Sequence, residues 1–238
     1  MSAVVDVGGV QVEVVRKAIK NLHLSVLPPA GKVRIAAPAR MTDNAIRLFV
    51  ISKLAWIRGQ QATMQGQERE PPREFLERES HYVWGKRYLL KLEEWPAAPT
   101  VELGHHDLVL SMRPGASPAD CADVLDRWYR EQLRVAVRAL RATWEPRIGV
   151  RAEGVYVQRM KTKWGSCNPR NRTIRLNTEL AKKPVECVEY VLVHELAHLI
   201  EANHGDRFRA VLDRVMPGWE ETRAELNRGP VGHEDWEY

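Results

Sequence analysis

Cysteine is scarce in this sequence. Three residues in 238, at 121, 167 and 187, leave one without a partner and form no Cys-x-x-Cys pair. A disulfide framework is therefore excluded, and the thiols read as reduced, as in a cytoplasmic protein. Any zinc held here would rest on histidines rather than thiolates. Long apolar runs are also missing. No stretch approaches the ~18 residues a membrane span requires. The opening MSAVVDVGGVQVEVV has no basic lead and carries Asp6, unlike a secretory signal. Internal repeats and low-complexity tracts are absent. Acidic residues are thin in two places: residues 1–60 carry nine Lys/Arg against three Asp/Glu, and residues 146–183 carry ten against two. The net charge is +5 overall, so the basic character is local. Such segments point to an anionic partner such as nucleic acid, against the simpler reading of a solvated face.

What is present suits a folded protein. At 44% apolar and 28% charged residues, the chain is too hydrophobic for global disorder and long enough to bury a sizeable core. QVEVV and HLSVL alternate as strands, and KVRIAAP follows a turn at Pro28-Pro29-Ala30-Gly31. Thr42 caps a helix over 43–62, with Ile46, Phe49, Val50, Leu54 and Ile57 on one side. QGQEREPPREF, residues 65–75, reads as a linker. Strands return at 81–92 and in the hairpin VELGHHDLVL, whose turn histidines, His105 and His106, read as surface. Ser117 or Asp120 opens a helix over 118–144, ended by Pro146. Three short strands follow, VYVQRM, KTKWGSC and TIRLN, the last two joined by a turn at Asn168-Pro169-Arg170-Asn171. Pro184 opens the next helix.

That helix carries the chemistry. YVLVHELAHLIEANHGDRF contains His194-Glu195-x-x-His198, with His204 six residues on. Helical positions i and i+4 differ by about 40° and stack one turn apart, so two imidazoles there can share one metal ion. Glu195 lies about 100° round, where it can reach metal-bound water without being a ligand. With 8 His and 22 Glu in the chain, chance supplies only about 0.02 such patterns. Val185, Val188, Leu192, Leu196 and Leu199 form the core stripe, with the histidines on the opposite side. Val191, Val193, Ala197 and Ile200 fill most of the rest, so the whole helix is buried and the histidines need partners. Three His suit Zn²⁺ with an open fourth position. His204 needs only one turn to reach it, made by Asn203 and Gly205 in the left-handed conformation. Glu220 or Glu221, 22 and 23 residues after His198, is the alternative third ligand. Glu201 reads as a supporting or surface residue, and Cys187 as packing.

The stretches KTKWGSCNPRNRTIRLN, HELAHLIEANHGDRF and PGW resemble the YgjP-like metallopeptidase family. That family is related to the SprT-like and WLM-domain proteases, which cut proteins crosslinked to DNA. Residues 10–62, with RIAAP and KLAWI, resemble its N-terminal part. The resemblance implies an α+β protein: an N-terminal strand and helix portion over 1–75, then a zincin-like domain over 76–238 with the HExxH helix and a small mixed sheet. It implies His194, His198 and His204 as zinc ligands, Glu195 as general base, and Phe208 packed under the site. Glu201 stands where the metzincin pattern has Gly. The expected reaction is peptide hydrolysis on protein or peptide substrates, extending to DNA-associated proteins, with no membrane partner. Residues 161–167 are expected to bind substrate backbone by strand addition, through Lys163, Trp164, Gly165 and Ser166. Against this, Trp164 and Cys167 also read as core residues. Arg159, Lys161 and Lys163 are candidates to face the oxyanion. A nucleic-acid-binding module with a non-catalytic zinc is the alternative, weakened by the absence of a fourth protein ligand in the motif.

Overall fold

The computed structural model describes residues 2–27, 30–66, 74–160 and 163–228. Pro28-Pro29, residues 67–73 of the expected linker, and Lys161 lie outside the described residues. The chain forms two compact units, Met1–Pro72 and Arg73–Arg228, each with its own apolar core.

The first unit is a four-stranded sheet with one helix. Strands β1 (Ser2–Val7), β2 (Val10–Lys17), β3 (His23–Leu27) and β4 (Lys32–Pro38) lie in the order β1-β2-β4-β3, with β2 and β4 parallel. β1 lies outside the strands read from the sequence. Its register comes from a turn at Gly8-Gly9, both at positive φ, which side chains with a Cβ rarely adopt. Alternation buries Val10, Val12 and Val14 of β2 on one face. Helix α1 (Asp43–Gly66) sets Ile46, Val50 and Ile57 in the same core. The Thr42 hydroxyl accepts from the Ala45 amide at 3.3 Å, which caps it as expected.

The second unit holds two small mixed sheets. β5 (Ser80–Val83), β6 (Lys86–Glu94), β7 (Thr100–Leu103) and β8 (Asp107–Met112) pair as β5-β6-β8-β7. β9 (Gly154–Gln158), β10 (Gly165–Asn168) and β11 (Thr173–Asn177) pair as β10-β11-β9. The 31-residue helix α2 (Pro118–Ile148) separates the two sets in the chain, and each closes by local pairing. Ser117 and Asp120 cap each other at its start. Pro146 does not end it. The proline removes one donor in the last turn, and the stop comes at Gly149, left-handed at φ 79°, whose amide donates to the Glu145 carbonyl. A 3-10 turn (Thr178–Lys182) leads into α3 (Val185–Ala197), followed by α4 (Asp206–Val215) and α5 (Trp219–Arg228). Cys187, Val188, Val191, Leu192, Val193 and Leu196 are buried, so α3 is enclosed almost all round. Val185 and Ile200 are exceptions to the expected burial. One is the first residue of α3 and the other lies beyond its end, and both are exposed.

Candidate metal centre

α3 runs through the middle of the second unit and ends at the motif. His198 is its C-cap but keeps right-handed helical angles, so it stands one turn above His194, ring centroids 5.0 Å apart. The chain then turns back through tight contacts. Leu199 and Ile200 donate to carbonyls three residues earlier, at 3.0 and 2.9 Å. Neither Asn203 nor Gly205 adopts the left-handed conformation expected of them. Gly205 is extended and starts α4, so the short turns replace the single left-handed residue.

His204 thereby reaches the helix. Its Nε2 lies 2.9 Å from Nε2 of His194 and 3.1 Å from Nε2 of His198. Three ring nitrogens thus point at one place. The Nδ1 of His198 lies 3.1 Å from the Glu201 carbonyl oxygen, so it carries the proton and leaves the Nε2 lone pair free. One proton on His204 cannot serve both of its short contacts, whereas a cation satisfies all three nitrogens. Zinc–nitrogen bonds of ~2.0–2.1 Å in a tetrahedron place ligand nitrogens ~3.3 Å apart, close to the observed spacing. The donor set fits. Phe208, buried at the start of α4, floors it, with ring centroids 4.6–4.9 Å from the three imidazoles.

Electrostatics favour ligation. Burial, reinforced by His198, His204 and Arg223, holds His194 down to about 3. Burial also lowers His198, against the Glu201 carbonyl. Both are neutral near pH 7, the form that binds metal. Glu195 is buried and faces the same cavity, of about 550 Å³, as the three histidines. Burial raises its carboxyl to about 7, partly offset by Lys163.

The strand beside the site is β10, at the edge of its sheet. Lys163, Trp164, Gly165 and Ser166 all line the cavity. Gly165 is where the strand meets the motif: a Cβ there would lie 2.7 Å from Glu195 Oε1 and 2.8 Å from its Cγ. Trp164 and Cys167 divide between the two readings, since both pack on the core and line the cavity. Burial raises the Cys167 thiol to about 11, so it stays neutral. Lys163 faces the cavity; Arg159 is exposed and does not line it. Glu220 and Glu221 are exposed on α5, outside the histidine cluster. Cys187 is buried, and Glu201 contributes its carbonyl rather than its carboxylate.

Two residues escape a motif-based reading. Asn177, buried at the end of β11, binds the Met160 amide and the Met160 and Lys163 carbonyls, tying down the approach to β10. Tyr190 places its hydroxyl 3.5 Å from His194 Nδ1 and stacks on Trp219. Its position four residues before His194 was the available signal.

A comparison with curated proteins found no match. Among solved structures, the metallopeptidase zymogen abylysin of Pyrococcus abyssi is 25% identical, with a TM-score of 0.35, over 40% of this chain and 99% of that one. The zymogen jannalysin of Methanocaldococcus jannaschii is 21% identical, with a TM-score of 0.34, over 40% and 92%. The family model of the YgjP-like metallopeptidase domain matches residues 20–229, nearly the whole sequence, and the chain belongs to that family.

Proposed function

We propose that this protein is a zinc-dependent peptidase in which His194, His198 and His204 hold the metal and Glu195 is the general base. The convergence of three imidazoles, with Nε2 of His204 2.9 and 3.1 Å from Nε2 of His194 and His198, beside a buried carboxylate, carries the reading. Zinc held there would supply Lewis acidity toward a scissile carbonyl and lower the pKa of a bound water toward ~7. Glu195 takes a proton from water in the cavity and returns it to the leaving amine; its raised pKa suits both steps near neutral pH. Edge strand β10 accepts substrate backbone, with Gly165 bringing that backbone against Glu195. The cavity size suits a peptide segment rather than a whole domain.

Elemental analysis with peptide cleavage tests this. Glu195→Gln should keep stoichiometric zinc and lose turnover by at least about a hundredfold. His204→Ala should lose zinc. Full activity in the first variant, or undiminished zinc in the second, would overturn the assignment.

DNA-associated proteins as substrates are the finer reading. It is supported by Arg170 at the β10–β11 turn and by Arg175, which lies level with exposed Tyr156 on the outer face of that sheet. DNA binding by Glu195→Gln across a salt series tests it, and no binding at low salt removes it. Among the described residues, no helix is long and apolar enough to cross a membrane. The free thiols of Cys121, Cys167 and Cys187 agree with a cytoplasmic setting.

A further inference from the structure

The histidines open on two sides. Away from Glu195 lies a second depression, of about 330 Å³, that shares Tyr190, His194, His204 and Arg223 with the main cavity. Tyr190, Phe208 and Trp219 wall it. The Tyr190 and Trp219 rings lie nearly parallel, at 6°. The Trp219 indole N–H donates to Asp213 at 2.8 Å, so that carboxylate is engaged on the indole.

Two cations face this space, Arg209 from α4 and Arg223 from α5. Both are exposed, and among the described residues neither guanidinium has a hydrogen-bonded or ion-paired partner. Among the described residues, no Asp or Glu lines the depression. In the main cavity Glu195 is the only carboxylate among the described residues, and Lys163 adds another positive charge. The charge of Arg223 is felt at His194 and at the Tyr190 hydroxyl, which sets it within Coulombic reach of the metal centre. Two free guanidiniums over a flat aromatic wall make a receptor for an anion on an apolar stem. The guanidinium fork matches a carboxylate in two parallel hydrogen bonds, and the rings cover the methylene groups behind it.

We propose that Arg209 and Arg223 form a carboxylate-binding subsite adjoining the metal centre, which selects substrates bearing a carboxylate within one or two residues of the scissile bond. The span follows from the two histidines common to both spaces, since each extended residue covers only ~3.3–3.6 Å. The carboxylate comes either from an Asp or Glu side chain or from a free C-terminus. The inference rests on the peptidase reading above.

The test uses matched peptides: Glu against Gln at each position flanking the scissile bond with an amidated C-terminus, and free acid against amide at the C-terminus of a neutral peptide. The zinc-loaded protein should favour one carboxylate source by about tenfold or more in kcat/KM, expressed mainly in KM. In the Arg209→Gln/Arg223→Gln double variant that ratio should fall to about one. Arg223→Glu should turn the preference toward Lys peptides. The same pairs are then titrated against Glu195→Gln, which reads binding without turnover. Binding preference without cleavage of any peptide by the wild type would sink the peptidase reading and leave the subsite standing. Cleavage with no charge preference, or a preference that survives in the double variant, would overturn the subsite. Metal content and near-ultraviolet dichroism identify any variant that has failed to fold, and in that case the two single Arg→Gln variants carry the same test.

Discussion

Gly165→Ala probes how the strand and the base depend on each other. The added methyl would sit 2.7 Å from Glu195 Oε1, 2.8 Å from Cγ and 3.0 Å from Cδ. Ordinary carbon–oxygen contacts begin near ~3.3 Å, so the two groups must part by about 0.6 Å. Glu195 has little room to yield, being only 5% exposed on a helix buried almost all round. Strand β10 is held by its pairing to β11 and by the Asn177 amide at Lys163. Overpacking of this kind costs about 1–3 kcal/mol in stability. A shift approaching 1 Å at a catalytic group can cost on the order of a hundredfold in rate. The backbone angles of Gly165 are open to alanine, so the effect is steric rather than conformational.

The expected result is a fall of about ten- to a hundredfold in kcat/KM with zinc stoichiometry unchanged, because the three atoms nearest the methyl all belong to Glu195. Peptide cleavage rates, elemental analysis and a thermal melt on one preparation read the three quantities together. A variant with wild-type kcat/KM and an unchanged melt would refute the idea that Gly165 sets the distance between substrate strand and base. Loss of zinc along with activity would refute it as well, because the metal ligands would then have moved.

Two further outcomes follow from the packing and the charges. Phe208→Ala removes a ring that is 2% exposed and lies under all three imidazoles. It should cost about 3–5 kcal/mol in denaturant unfolding and weaken zinc in a chelator competition by about tenfold or more. In the first unit, Glu13 accepts from Arg34 at 3.1 and 3.2 Å and pairs with Lys32, and these partners hold its carboxyl below the usual 4.5. A depressed carboxylate contributes stability above its unfolded pKa and loses it as pH falls through the folded value. Between pH 6 and pH 3.5 the wild type should therefore lose more stability than Glu13→Gln, and equal losses in thermal melts would contradict this.

The parts of the site legible in the sequence are those set by helical spacing. His194 and His198 meet because i and i+4 stack, and Glu195 is aimed by the same helix. His204 needed only one more turn, although the chain makes it with short i-to-i−3 bonds and not with a left-handed Asn or Gly. The misreading has a physical root. A glycine after a helix signals a left-handed cap only when the chain leaves there, and Gly205 instead starts α4. Pro146 misleads in the same way, since near a C-terminus the lost donor matters less than the glycine that follows. Among the described residues no strand before α2 pairs with one after it, and alternation does not encode which strands pair.

Contacts between distant segments leave no periodic trace. Gly165 and Glu195 are 30 residues apart, and what makes Gly165 informative is the side chain it lacks, which matters only once α3 lies against β10. Arg209 and Arg223 read as ordinary surface charge, because helices expose arginine everywhere. They become the proposed subsite only through the packing of α4 and α5 beside Tyr190, where both arginines line one depression with the aromatic rings and, among the described residues, no acid. The proposed ligand set is thus written in local spacing, whereas the proposed substrate selection depends on the packing of the last two helices. Exchanging the surface charges of α4 and α5 should therefore alter which peptides are cleaved while the three-histidine site still binds metal.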